Sequence, residues 1–72
     1  MRTYVEALEV VSEEDVEPDF IRLEIGEDMT EEEAIQLIKG LMTPPYNIYR
    51  HLCFHDEEPK KPCSFELIEE VR

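Results

Sequence analysis

Both histidines and both cysteines of the 72-residue chain fall within "HLCFHDEEPKKPC", His51 to Cys63. His51, Cys53 and His55 alternate, and with Cys63 they compose a two-Cys, two-His set of the kind zinc takes tetrahedrally. On a strand the first and third of these side chains stand ~13 Å apart, near the limit at which two imidazoles reach one ion. Hydrophobic parity weighs further against a cluster. Ile48, Leu52 and Phe54 want one face, Phe65 and Leu67 want it on the partner strand, and Cys63 shares their parity. The register that unites them sets Phe54 opposite Cys63 and His51 opposite Glu66, turning Cys63 inward and the His-Cys-His row outward. The expectation is therefore no metal and no other cofactor, with Cys63 a small buried hydrophobe.

Two other chemistries are open to the same residues. A Cys53–Cys63 disulfide needs the opposite register and an oxidising compartment. A Cys53–His51 nucleophile and base would be neighbours on one strand face, ~6.6 Å apart, beyond direct hydrogen bonding for most rotamers. With no third orienting group and no oxyanion donor identifiable, the chain is not expected to be an enzyme.

The formal net charge is −12, from 19 acidic against 7 basic residues. Such a surface opposes direct binding to nucleic acid or to an anionic membrane, both of which need basic groups to displace counterions or attract head groups. A basic protein surface is the expected partner. Glu13, Glu14, Asp15, Glu17 and Asp19 form one acidic loop, Glu27, Asp28, Glu31, Glu32 and Glu33 a second group, and Asp56, Glu57 and Glu58 a third. Carboxylates spread over one surface can present phosphate-like charge, so mimicry of DNA toward an inhibited protein is a specific form of this expectation. The alternative function is metal binding, with Ca²⁺ in the first acidic loop or Zn²⁺ on His51, Cys53 and His55. The loop lacks the ligand spacing and central Gly of an EF-hand.

These residues must be positioned by a small α+β fold. "TYVEALEVV", Thr3 to Val11, is apolar on both alternating sets, as a central strand would be. "FIRLEIG", Phe20 to Gly26, alternates cleanly. In "DMTEEEAIQLIKGLM", Thr30 and Glu33 form a capping box, and Met29 with Ala34 a hydrophobic staple. Ala34, Leu37, Ile38 and Leu41 then make the core-facing stripe, widened by Ile35 and Met42, until Pro44 and Pro45 stop the helix. "NIYRHLCF" and "SFELIEEV" supply two more strands, giving ββαββ in one domain over residues 1–72. This element order resembles the β-grasp architecture of ubiquitin-like domains, which implies a four-stranded sheet in order 2-1-4-3 with one helix across it. An antiparallel order 2-1-3-4 is the alternative. The chain ends "EEVR" rather than in the di-glycine of conjugated modifiers, so the likeness carries no function.

No apolar run approaches the ~20 residues of a membrane span, and "MRTYVEALEV" carries charge where a signal peptide is apolar. A cytoplasmic protein with reduced thiols is expected. Glu supplies 15 of the 19 acids while Asn and Gln appear once each, a bias compatible with a thermophilic source. One helix covers one sheet face. On the parity above, Val5, Ile21, Leu52 and Leu67 face it, leaving Tyr4, Leu8, Val10, Phe20, Tyr49 and Ile68 on the other. That second face is too apolar for open solvent. It is the expected partner surface of a non-enzymatic interaction module, together with Glu13, Glu14, Asp15 and Glu17, and the surface through which a homodimer would form.

Overall fold

The computed structural model describes residues 1–72. Its elements are β1 (Arg2–Glu9), β2 (Phe20–Ile25), α1 (Glu31–Leu41), β3 (Tyr46–Cys53) and β4 (Ser64–Val71). All strand pairs are antiparallel and the sheet order is β2-β1-β3-β4. The α+β class and the ββαββ order are as the sequence implies, and the arrangement is the antiparallel 2-1-3-4 rather than the β-grasp 2-1-4-3. The physical reason lies in which strand has two faces to bury. β3 places Tyr46 and Ile48 in the core and His51 under the opposite face, whereas β4 carries Glu66, Glu69 and Glu70 and is largely exposed. β3 therefore joins β1 in the middle, and β4 takes the edge.

The helix forms where its cap directs. The Thr30 hydroxyl accepts from the Glu33 amide at 3.2 Å, while the Glu33 carboxylate accepts from the Thr30 amide at 3.4 Å. Glu31, Glu32 and Glu33 occupy the first turn and Lys39 the last, each complementing the helix dipole. Ala34 and Ile38 are fully buried and Met42 nearly so, against Val5, Ala7, Tyr46 and Ile48 of the sheet. Ile21, Leu23, Ile25, Met29, Ile35, Ile68 and Val71 close around this cluster. Leu37 and Leu41, assigned to the stripe by spacing, are instead 43% and 64% exposed. The helix backbone runs closest to β1 and β2, and the side chains it seats on the sheet are those of the i, i+4, i+8 line, Ala34, Ile38 and Met42.

Polar contacts tie the helix to the other half of the sheet. Arg50 of β3 donates to Glu31 through Nε at 3.0 Å and through Nη2, and to Glu66 of β4 at 2.7 Å; Lys39 reaches Glu69 at 3.0 Å. Hydrogen bonds from Arg50 hold the Glu31 carboxyl below its ordinary 4.5, and the two carboxylates hold the guanidinium above its own ordinary value. The molecule is 37 × 27 × 16 Å, two layers thick, so one whole sheet face lacks a covering layer.

Within strands β3 and β4 the register changes once. Tyr46, Asn47 and Ile48 pair with Val71, Glu70 and Glu69, but Tyr49, Arg50, His51 and Leu52 pair with Leu67, Glu66, Phe65 and Ser64. Ile68 is left unpaired between them, a β-bulge. The parity of β4 thus reverses along its length. Val71 and Ile68 pack on the core, whereas Phe65 and Leu67 turn to the uncovered face beside His51 and Tyr49. Two assignments made from strict alternation are corrected by this one residue: Leu67 does not face the helix, and Ile68 does not belong to the opposite face.

Substitution Ile38→Ala should cost roughly 2 to 5 kcal/mol in denaturant unfolding, and Leu37→Ala less than about 1. Because Glu31 is held low by Arg50, their pairing stabilises the fold above about pH 4.5 and is lost as pH falls through the depressed value. Unfolding measured from neutral pH down to about pH 3 should therefore show a smaller acid loss for Glu31→Gln than for the parent chain.

Candidate functional site

The uncovered face is built in rows that cross the sheet. Tyr4, His51 and Phe65 are direct cross-strand partners on β1, β3 and β4. Arg22, Glu6, Tyr49 and Leu67 form the next row, and Phe20, Leu8, Asn47 and Glu70 the one after. Of the residues expected here, Tyr4, Leu8, Phe20 and Tyr49 are present. Val10 lies past the end of β1, its amide bonded to the Pro45 carbonyl at 3.0 Å, and lines a different concavity with Pro44, Pro45 and Asn47. Glu13, Glu14, Asp15 and Glu17 are exposed in the β1–β2 loop. Phe65 and Leu67 replace Ile68 on the face. The signal for this lies in the doublets Leu67-Ile68 and Glu69-Glu70, which break the alternation of β4.

Leu8, Phe20, Phe65 and Leu67 are 40 to 57% exposed, and a shallow groove of about 220 Å³ runs among Glu6, Leu8, Phe20, Tyr49 and Phe65. Beneath these side chains sits a polar pair. The side chains of Glu6 and His51 are only 7% and 8% exposed although no layer covers them. Neighbouring side chains provide the burial. The His51 ring stacks on Phe65 with centroids 4.4 Å apart and tilts against Tyr4 at 5.3 Å. Arg22 lies over both Tyr4 and Phe20. Glu6 Oε1 accepts from Arg22 Nε at 2.6 Å and lies 2.5 Å from His51 Nδ1. With the carboxylate on Nδ1, the imidazole has its other nitrogen free, and Nε2 is buried without a hydrogen-bond partner.

The bulge also decides the position of the cysteines. Leu52 opposite Ser64 carries Cys53 toward Cys63 across the strand ends. Cys63 therefore does not turn inward, as the unbroken register requires, but joins His51 and Cys53. One nitrogen of His51 and the two sulfurs all lie within 4.8 Å of one another. His55, in the turn that follows β3, approaches from the loop. Its Nδ1 is 3.3 Å from Cys53 Sγ and 3.9 Å from Cys63 Sγ, with Nε2 4.0 Å from the latter. Desolvation, and then a hydrogen bond from its own S–H to the neighbouring Cys53 sulfur, push the Cys63 thiol above its ordinary value. The four residues that parity divides three to one are thus gathered at one end of the face. The β1–β2 loop carboxylates form no comparable group.

The loop holding His55 is anchored by further contacts. Asp56 accepts from Arg2 Nε at 2.8 Å, the N-terminal ammonium pairs with Glu57, and Lys61 lies over the Phe54 ring at 4.2 Å. Cations elsewhere are also engaged: Arg22, Lys39, Arg50, Lys61 and Arg72 each pair with a carboxylate. The carboxylates left without a cation all lie between Glu9 and Glu33, in the segments around the β2 edge. No helix is long and apolar enough to cross a membrane.

Comparison with protein-family models, with curated proteins and with solved structures returns no match.

Glu6 is the residue whose removal the site tolerates least. Glu6→Ala leaves the buried His51 Nδ1 unpaired and should cost about 1 to 3 kcal/mol in equilibrium unfolding. Glu6→Gln, which keeps an acceptor, should cost less, and Arg22→Ala less again because Arg22 is half exposed.

Proposed function

We propose that the chain is a non-enzymatic, cytoplasmic interaction module that docks a basic protein through the uncovered sheet face, as an inhibitor or accessory subunit. The observation that supports this most directly is the exposure of Leu8, Phe20, Phe65 and Leu67 together on one face, around a shallow groove lined by Leu8, Phe20, Tyr49 and Phe65 with Glu6 as its polar member. Contiguous apolar surface of this kind, with aromatic side chains at its centre, is the ordinary composition of an interface core. The excess carboxylates flank it on the β2 side. An apolar centre with an acidic flank matches a partner with an apolar centre and a basic rim, and suits a DNA mimic as one version of it.

Catalysis is the weaker reading of the same face. Cys53 and His55 make the contact a thiol and its base would make, but the second thiol crowds the same imidazole and burial opposes its ionisation. The groove is shallow.

The test is capture of basic proteins from an extract of the source cells. Capture by the parent chain should weaken as salt rises and should be lost in Leu8→Ser combined with Leu67→Ser, two exposed side chains of the face that do not shield the Glu6–His51 pair, with circular dichroism showing that the variant is folded. Capture that survives this double substitution would remove the face from consideration. Sedimentation separates the other use: a dimer strengthened by salt, as repulsion between two chains of −12 is screened, would assign the face to self-association.

A further inference from the structure

We infer that His51, Cys53, Cys63 and His55 form a binding site for one zinc-class ion at the end of the sheet face, a site that stands independently of the docking reading. Two separate observations meet there. The first is the convergence of three ligating atoms within 4.8 Å, with His55 beside both sulfurs. A tetrahedral zinc with two sulfur and two nitrogen ligands sets sulfur and nitrogen ~3.6 Å apart, from bond lengths of ~2.3 and ~2.05 Å. The 3.3 and 3.9 Å separations from His55 Nδ1 to the two sulfurs fall on either side of that value.

The second observation is His51 itself. An imidazole nine-tenths buried, with Nε2 lacking any partner, leaves a polar atom whose desolvation nothing offsets. Its other nitrogen is held by Glu6, which is the arrangement by which a carboxylate sets the tautomer and orientation of a metal-binding histidine. Nε2 is then the atom left with a lone pair for a cation. Arg22 on the same carboxylate keeps Glu6 in place. The site therefore has ligands and an orienting group behind one of them.

Two thiols and two imidazoles select by chemical type. Soft sulfur with borderline nitrogen favours Zn²⁺ over Ca²⁺ or Mg²⁺, which take oxygen. Three ligands stand on or beside β3 and β4 and the fourth in the exposed turn, so a bound ion would close the β3–β4 loop onto the strand ends. Through His51 it would also hold Phe65, which stacks on that ring, at the rim of the groove.

The test uses the full chain, reduced and metal-free, titrated with Co²⁺ and then Zn²⁺. The expected result is one Co²⁺ per chain, with sulfur-to-cobalt charge-transfer absorption that Zn²⁺ abolishes. Cys53→Ser and Cys63→Ser should each lose that absorption. His55→Ala, in an exposed turn where it disturbs no packing, should weaken Co²⁺ binding about tenfold or more. Zn²⁺ should raise the melting temperature of the parent chain and not that of Cys63→Ser, with far-UV circular dichroism showing that each variant is folded. Three outcomes would overturn the site: a folded, reduced chain that takes up no Co²⁺; Co²⁺ bound without charge-transfer absorption, as at surface carboxylates; or a Cys53–Cys63 disulfide in protein alkylated at the moment of lysis.

Discussion

The unpaired Ile68 governs more of this molecule than any other single residue. A strand has two faces, and one extra residue exchanges them. Before the bulge in chain order, β4 gives Phe65 and Leu67 to the uncovered face; after it, Ile68 and Val71 serve the core. An unbroken β4 would have kept one parity throughout, with Cys63 and Phe65 on the same side as Val71. The aromatic row over His51, the groove beside it and the meeting of the cysteines all follow from the change of face.

A second constraint is how a two-layer protein buries charge. Only nine of the 72 residues are buried, and two of these are Glu6 and His51, on the side with no covering layer. Their shielding comes from Tyr4, Phe65 and the Arg22 stem and guanidinium. Packing an imidazole against two aromatic rings, stacked on Phe65 and tilted to Tyr4, removes it from water, while the carboxylate satisfies one of its nitrogens. The same economy of material appears on the helix side. Where the helix does not reach, Arg50 and Lys39 bridge helix and sheet by ion pairs rather than apolar contact.

Much of the fold was legible because its signals are local. The Thr30–Glu33 box, the double proline after the helix and the two-sided apolarity of β1 each depend on a few adjacent residues and one physical cause. Strand order was less legible, since it turns on whether β3 or β4 buries two faces, and His51 gives no apolar signal for its own burial. Register failed because a period of two propagates one error along the whole strand. The Leu67-Ile68 and Glu69-Glu70 doublets mark the interruption, but they do not say which residue leaves the ladder. The helix stripe failed at Leu37 and Leu41 for a geometric reason, since the side chains that meet the sheet follow the i, i+4, i+8 line of Ala34, Ile38 and Met42 and leave positions 37 and 41 exposed.

The sheet has two free edges, β2 and β4, each a row of backbone groups with no neighbour on its outer side. Such rows are templates for another chain's strand. On β2 the strand is six residues long, includes Arg22 and Glu24, and is flanked at both ends by carboxylates without cation partners. On β4 the ladder is kinked by the bulge and carries Glu66, Glu69 and Glu70. Any strand adding edge to edge from a second copy would bring like charge against like charge, and at β4 it would meet a ladder interrupted by the bulge. Edge-to-edge strand addition is thereby discouraged on both flanks, which leaves the uncovered face, and not the edges, as the route by which another chain can approach.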